Sequence, residues 1–70
     1  MTFVRTASGS YSNLARAAAI VPRRDRDNPD EFVVIAVFSG REVLLDHSLP
    51  SMLAAEASAA RYAAIAGEAS

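Results

Sequence analysis

Residues 31–46 constrain this chain more than any other stretch. They read Glu31-Phe32-Val33-Val34-Ile35-Ala36-Val37-Phe38, then Ser39-Gly40, then Arg41-Glu42-Val43-Leu44-Leu45-Asp46. Two apolar runs, the first filled with β-branched and aromatic residues, flank a two-residue link that ends in Gly. That pattern specifies a β-hairpin, and it places Gly40 at positive φ, where only Gly sits without steric cost. Alternate side chains of a strand face opposite ways. Phe32, Val34, Ala36 and Phe38 therefore share one face, and Val33, Ile35 and Val37 share the other. Both faces are apolar, as in a strand covered on both sides. The second run is half polar: Val43 and Leu45 point one way, Glu42 and Asp46 the other beside Leu44. It belongs nearer a sheet edge.

Around this hairpin the signals are shorter. Thr2-Phe3-Val4-Arg5-Thr6 reads as a first strand, with Phe3 and Arg5 on one side and Val4 on the other. Ala7-Ser8-Gly9-Ser10 is a turn cluster. Residues 11–20 admit two readings. Their Ala content favours a helix capped by Ser12 or Asn13. The spacing of Tyr11, Leu14, Ala17 and Ile20 before Val21-Pro22 fits a strand interrupted by a helical turn at residues 13–16, and this second reading is preferred. Residues 23–30 (Arg-Arg-Asp-Arg-Asp-Asn-Pro-Asp) contain no apolar side chain and form an exposed loop.

The helix is expected to begin near Ser48 or Leu49, with Ser48 as its cap and Pro50 in its first turn, and to stop at Gly67. A wheel at 100° per residue clusters Leu49, Met52, Leu53, Ala60, Ala63 and Ala64 as the core stripe, with Glu56 inside it. Tyr62, Ile65 and Ala69 fall on another side. The expected architecture is one α+β domain spanning residues 1–70: a four- to five-strand antiparallel meander sheet with one C-terminal helix packed on one face.

A chain of 70 residues buries only about 60% of its unfolded surface and is marginal without help. Lacking Cys, it has no disulfide framework and no Cys-based zinc site. One His does not make a metal site. Seven Arg and no Lys stand against eight acids, a formal net charge of −1, which gives no global attraction to nucleic acid or membrane. The first residues lack a signal-peptide core, and no run of about 20 apolar residues could cross a bilayer. A cytoplasmic, non-membrane protein is the expectation.

Motifs for catalysis are missing. Asp46-His47-Ser48 has the residue types of a nucleophilic triad, but neighbouring strand side chains point apart and triads are built by geometry. Asp25/Asp27 and Asp30/Glu31 lie in or beside the charged loop without an EF-hand spacing. Ser8-Gly9-Ser10 lacks the Gly-Lys-Ser/Thr ending of a phosphate loop. No catalytic, cofactor-binding or metal-binding residue is assigned, and no cofactor is expected. Partner-binding candidates are Tyr62 and Ile65, off the core stripe, and Arg23, Arg24 and Arg26, three guanidinium groups able to contact carboxylate or phosphate.

Tyr11-Ser12-Asn13-Leu14, then Ile20, then Phe38-Ser39-Gly40-Arg41-Glu42-Val43 and a closing helix resemble a group of short, mostly uncharacterised bacterial and phage proteins. The resemblance implies a fold and no activity. Ser10-Tyr11-Ser12-Asn13-Leu14 is more weakly similar to a segment of the LytTR DNA-binding domain, which implies a small DNA-binding regulator; the arginines available to such a rival reading are Arg23, Arg24 and Arg26 with Arg5, Arg16 and Arg41. In size and style the chain is similar to phage-encoded inhibitors of bacterial defence, including anti-CRISPR proteins. The favoured expectation is a non-enzymatic module that docks on a protein partner or on itself as a homodimer. Nucleic acid is the less favoured partner.

Overall fold

The computed structural model describes residues 3–67. Strands β1 (Phe3–Arg5), β2 (Tyr11–Asn13), β3 (Ala19–Arg24), β4 (Phe32–Phe38) and β5 (Arg41–Leu49) precede helix α1 (Met52–Gly67). All strand pairs are antiparallel, so the fold is α+β as expected. The strands divide into two sheets, β1-β2 and β3-β4-β5, where the sequence suggested one. The division comes from a 3-10 turn at Leu14–Arg16. The Asn13 side chain accepts the Ala15 N–H at 3.1 Å and starts this turn, which redirects the chain before β2 and β3 could pair. The strand-turn-strand reading of residues 11–20 is the one realised.

β4 is the central strand, and its residues Val33, Val34, Ile35 and Ala36 are all buried. β5 lies at the edge. Ser39 and Gly40 link the two strands between the Phe38/Arg41 pair, and Gly40 has φ +83°. Ile35 pairs with Leu44, Val34 with Asp46, and Phe32 with Leu49. Each step adds a residue to β5, so the strand carries two irregularities of the β-bulge kind. The first overturns the expected alternation: Asp46 turns to the helix side, where Oδ2 accepts a hydrogen bond from the Ser58 hydroxyl at 2.8 Å. The second places Ser48 at φ 58°.

Ser48 is therefore not the helix cap. β5 continues to Leu49, and Ser51 caps α1 instead, its Oγ accepting the Ala54 N–H at 3.1 Å. Pro50 precedes the cap. The expected core stripe is also replaced. Ala55, Ser58 and Ala59 are buried, with Tyr62, Ile65 and Ala66 packed against the core. Their i, i+3, i+4, i+7 spacing is that of a helix face. Leu53, placed in the expected stripe, is 77% exposed, and Ala60, Ala63, Ala64 and Glu56 also face outward. Small side chains on the inner face let the helix backbone approach the sheet closely. Ala69 lies outside the described residues.

The core sits between α1, the three-stranded sheet and the β1-β2 hairpin: Leu14, Val34, Ala36, Leu45, Ala55 and Ala59 form its centre, with Val4 reaching in from β1. The hairpin turn is closed by Thr6 Oγ1 with Ser10 Oγ at 2.8 Å and with Ser8 Oγ at 3.0 Å. The Ala7 N–H donates to the Leu44 carbonyl at 3.0 Å, which fastens the small sheet to the outer edge of β5.

Candidate docking surface

A single helix covers a single face, so the far side of the β3-β4-β5 sheet decides what this fold can do. On that side the register aligns Val21 with Ile35 and Leu44, Arg23 with Val33, and Val37 with Glu42. Val33 and Ile35 are only 6% and 9% exposed, although among the described residues no second layer lies over them. Their cover is a diagonal. Arg23 on β3 and Glu42 on β5 stand at opposite corners around Ile35, and the right-handed twist of a sheet draws one pair of corners together. Arg23 Nη2 meets Glu42 Oε2 at 3.1 Å, and the aliphatic stems of both residues lie across the apolar strand. Val21 and Leu44, to either side of this bridge, stay open at 36% and 40% exposure.

The result is a groove of about 350 Å³. Val33, Ile35 and Leu44 form its floor; Arg23, Arg24 and Arg26 with Asp25, Asp27 and Glu42 form its rim. The rim charges are balanced, three of each sign. The Arg23/Glu42 bridge is partly solvated, with side chains 30% and 51% exposed, and exposed pairs of this kind stabilise by about 0–1 kcal/mol. It is a cover that can be lifted at little cost.

The sequence placed Arg23 and Arg24 in an exposed loop. Instead they end β3, and the loop begins at Asp25, whose Oδ1 accepts the Asp27 N–H at 2.9 Å and whose own N–H donates to the Glu31 carbonyl at 3.0 Å. Arg24 stacks over the Phe32 ring at 5.5 Å. Arg26 stays exposed. The structure thus gathers the three arginines at one groove, but not with Tyr62 and Ile65. Those two, expected off the core stripe, instead lie on the inner face of α1, where the Tyr62 hydroxyl donates to the Leu45 carbonyl at 3.4 Å. Their spacing follows Ala55 and Ser58, small residues that a hydrophobicity-weighted wheel discounts. Val21, Glu42 and Leu44 were missed as site residues. The period-2 pattern run outward from Gly40 would have put Glu42 and Leu44 on the Ile35 face.

Sheet edges offer less. β3 carries Pro22, which donates no hydrogen bond to an added strand. The outer edge of β5 is interrupted by its irregularities and by the Ala7 contact, both ways of blocking edge pairing. Arg16, Phe38, Ser39 and Arg41 line a second cleft at the hairpin end, with Arg41 stacked over Phe38 at 5.3 Å. Between the two ends runs the length of β4, about 20 Å at the usual strand rise, so the arginines do not make one continuous stripe.

Asp46-His47-Ser48 makes a partial contact. His47 Nδ1 and Ser48 Oγ lie 3.0 Å apart, contrary to the expected divergence, because the left-handed backbone at Ser48 breaks the alternation. Asp46 Oδ1 accepts the backbone N–H of His47 at 2.9 Å and leaves the imidazole unoriented by a carboxylate. Among the described residues no three His, Cys, Asp or Glu side chains converge as a metal site, and no helix is long and apolar enough to cross a membrane. No family model, curated protein or solved structure matches the chain.

Proposed function

We propose that this chain is a non-enzymatic binding module that docks a protein surface on the helix-free face of its three-stranded sheet. The observation that carries this reading is the groove over Val33 and Ile35: an apolar floor, open flanks at Val21 and Leu44, and a weak ion pair as its cover among the described residues. Proteins bind where apolar surface is easily uncovered within a polar rim. Balanced rim charge favours a protein over a polyanion, since Asp25, Asp27 and Glu42 would face the same phosphates as the arginines. Blocked edges direct docking to the face.

The test uses an apolar anionic dye, 1-anilinonaphthalene-8-sulfonate, with the dilute folded protein. Its rings fit the floor and its sulfonate the arginines. Fluorescence should rise on mixing, and should fall at least fivefold for Leu44→Ser, a change at an exposed position that leaves the fold intact. A folded parent that binds no dye, or binds it equally well after Leu44→Ser, overturns the reading.

A further inference from the structure

Resting on that docking face, we infer that its occupant is a second copy of this chain, in a two-fold dimer whose ion pairs are exchanged between protomers. A two-fold interface must be self-complementary: if residue i meets residue j, then j meets i. Most single-sign patches fail this condition. Here the Arg23/Glu42 pair satisfies it by position. Arg23 and Glu42 occupy opposite ends of a diagonal centred on Ile35, opposite Val33 and Val37 respectively. Consider a two-fold axis lying in the interface and perpendicular to that diagonal. It carries the Arg23 end of one protomer over the Glu42 end of the other.

Each arginine then exchanges its own Glu42 for the Glu42 of its mate. Two intramolecular bridges become two intermolecular ones, and the count of ion pairs is unchanged. What the exchange gains is burial. With the bridge swung across to the mate, the half-open Val21 and Leu44 of each copy meet their equivalents on either side of Ile35, and apolar surface leaves water on both sides. A polyanion, or a partner of one charge, would leave half of this rim unpaired.

Exchange can be separated from a bridge that stays within each chain. Arg23→Glu carries two acids on the diagonal, and Glu42→Arg carries two arginines. Each alone repels its own copy. Mixed together, the two variants can form both pairs only across a heterodimer. Sedimentation equilibrium on the full chain, from micromolar to millimolar, should show the parent moving from 7.4 kDa toward twice that mass. Leu44→Arg should weaken association at least tenfold, and the mixed variants should associate at least tenfold more tightly than either alone. Circular dichroism verifies that each variant is folded.

A parent that stays at 7.4 kDa throughout overturns the dimer. If that monomer still binds the dye in a Leu44-dependent way, the docking face stands and its occupant is another protein. A dimer indifferent to Leu44→Arg lies elsewhere on the molecule and also overturns the inference. So does a mixture no tighter than its components.

Discussion

The hydrogen bond between Ser58 and Asp46 joins the helix to the sheet at a point where both residues look expendable in the sequence. Ser58 is 1% exposed, and its hydroxyl donates to Asp46 Oδ2 at 2.8 Å. A hydrogen bond to a charged acceptor contributes about 1.5–3 kcal/mol. Asp46 is half-buried, so water can take up the vacated lone pair, which places the coupling nearer 1–2 kcal/mol. Ser58→Ala also gains about 0.5 kcal/mol of helix propensity, leaving a net loss near 1 kcal/mol. In a domain this small that lowers the melting temperature by about 4–8 °C. Urea midpoints for Ser58→Ala, Asp46→Ala and the double variant isolate the pair, because propensity and the lost His47 contact cancel in the cycle. A coupling below about 0.3 kcal/mol would refute the role assigned to this bond, and with it the claim that the β5 irregularity aims Asp46 at the helix.

Other outcomes follow from the same geometry. Leu14 is 1% exposed at the centre of the core, so Leu14→Ala should cost about 2–5 kcal/mol by denaturant titration. Gly40 has open space around its Cα and φ +83°, so Gly40→Ala should cost about 1–2 kcal/mol from backbone strain alone; coincident urea midpoints would reject the turn. Leu53→Gln, on the outer face of α1, should change stability by no more than about 0.5 kcal/mol, whereas Ala55→Leu on the inner face should cost about 1–3 kcal/mol by overpacking.

The sequence was legible wherever one local rule decided the outcome. β4 declared itself through seven consecutive apolar residues, the turn through its Gly, and the break at Leu14–Arg16 through the spacing of Tyr11, Leu14, Ala17 and Ile20 before Val21-Pro22. Reading failed where a small residue mattered more than a large one. The wheel followed Met52 and Leu53 because they are the greasiest residues of the helix, yet the inner face is Ala55, Ser58 and Ala59. Close approach of backbone to sheet selected them over bulk. It failed again at β5, because each irregularity inverts the side chains that follow until the next one, and no composition signal marks them. Asp46 fell on the wrong side of the first, and Ser48, read as a helix cap, lies inside the strand. The groove was half visible: the second apolar face of β4 required some cover, but a cover made of two charged side chains from the flanking strands depends on register and twist.

Salt separates the docking reading from its nucleic-acid rival. If Arg23, Arg24 and Arg26 each neutralised one duplex phosphate, the logarithm of affinity would fall with that of salt at a slope near −0.9 per contact, so a fourfold rise in salt would weaken binding roughly 40-fold. The sheet-face interface behaves differently. Its drive is burial of Val21 and Leu44, which salt does not screen, and its ion pairs replace bridges that added salt weakens equally in the free chain. Exchange therefore cancels most of the electrostatic salt dependence. Between about 50 and 200 mM salt, self-association should change less than about threefold, and sulfate should strengthen it by favouring apolar burial. Binding to a duplex DNA probe that is tight at low salt and falls by an order of magnitude or more over that range, together with weakening by Arg26→Ser, would transfer the groove's arginines from a protein interface to a phosphate one.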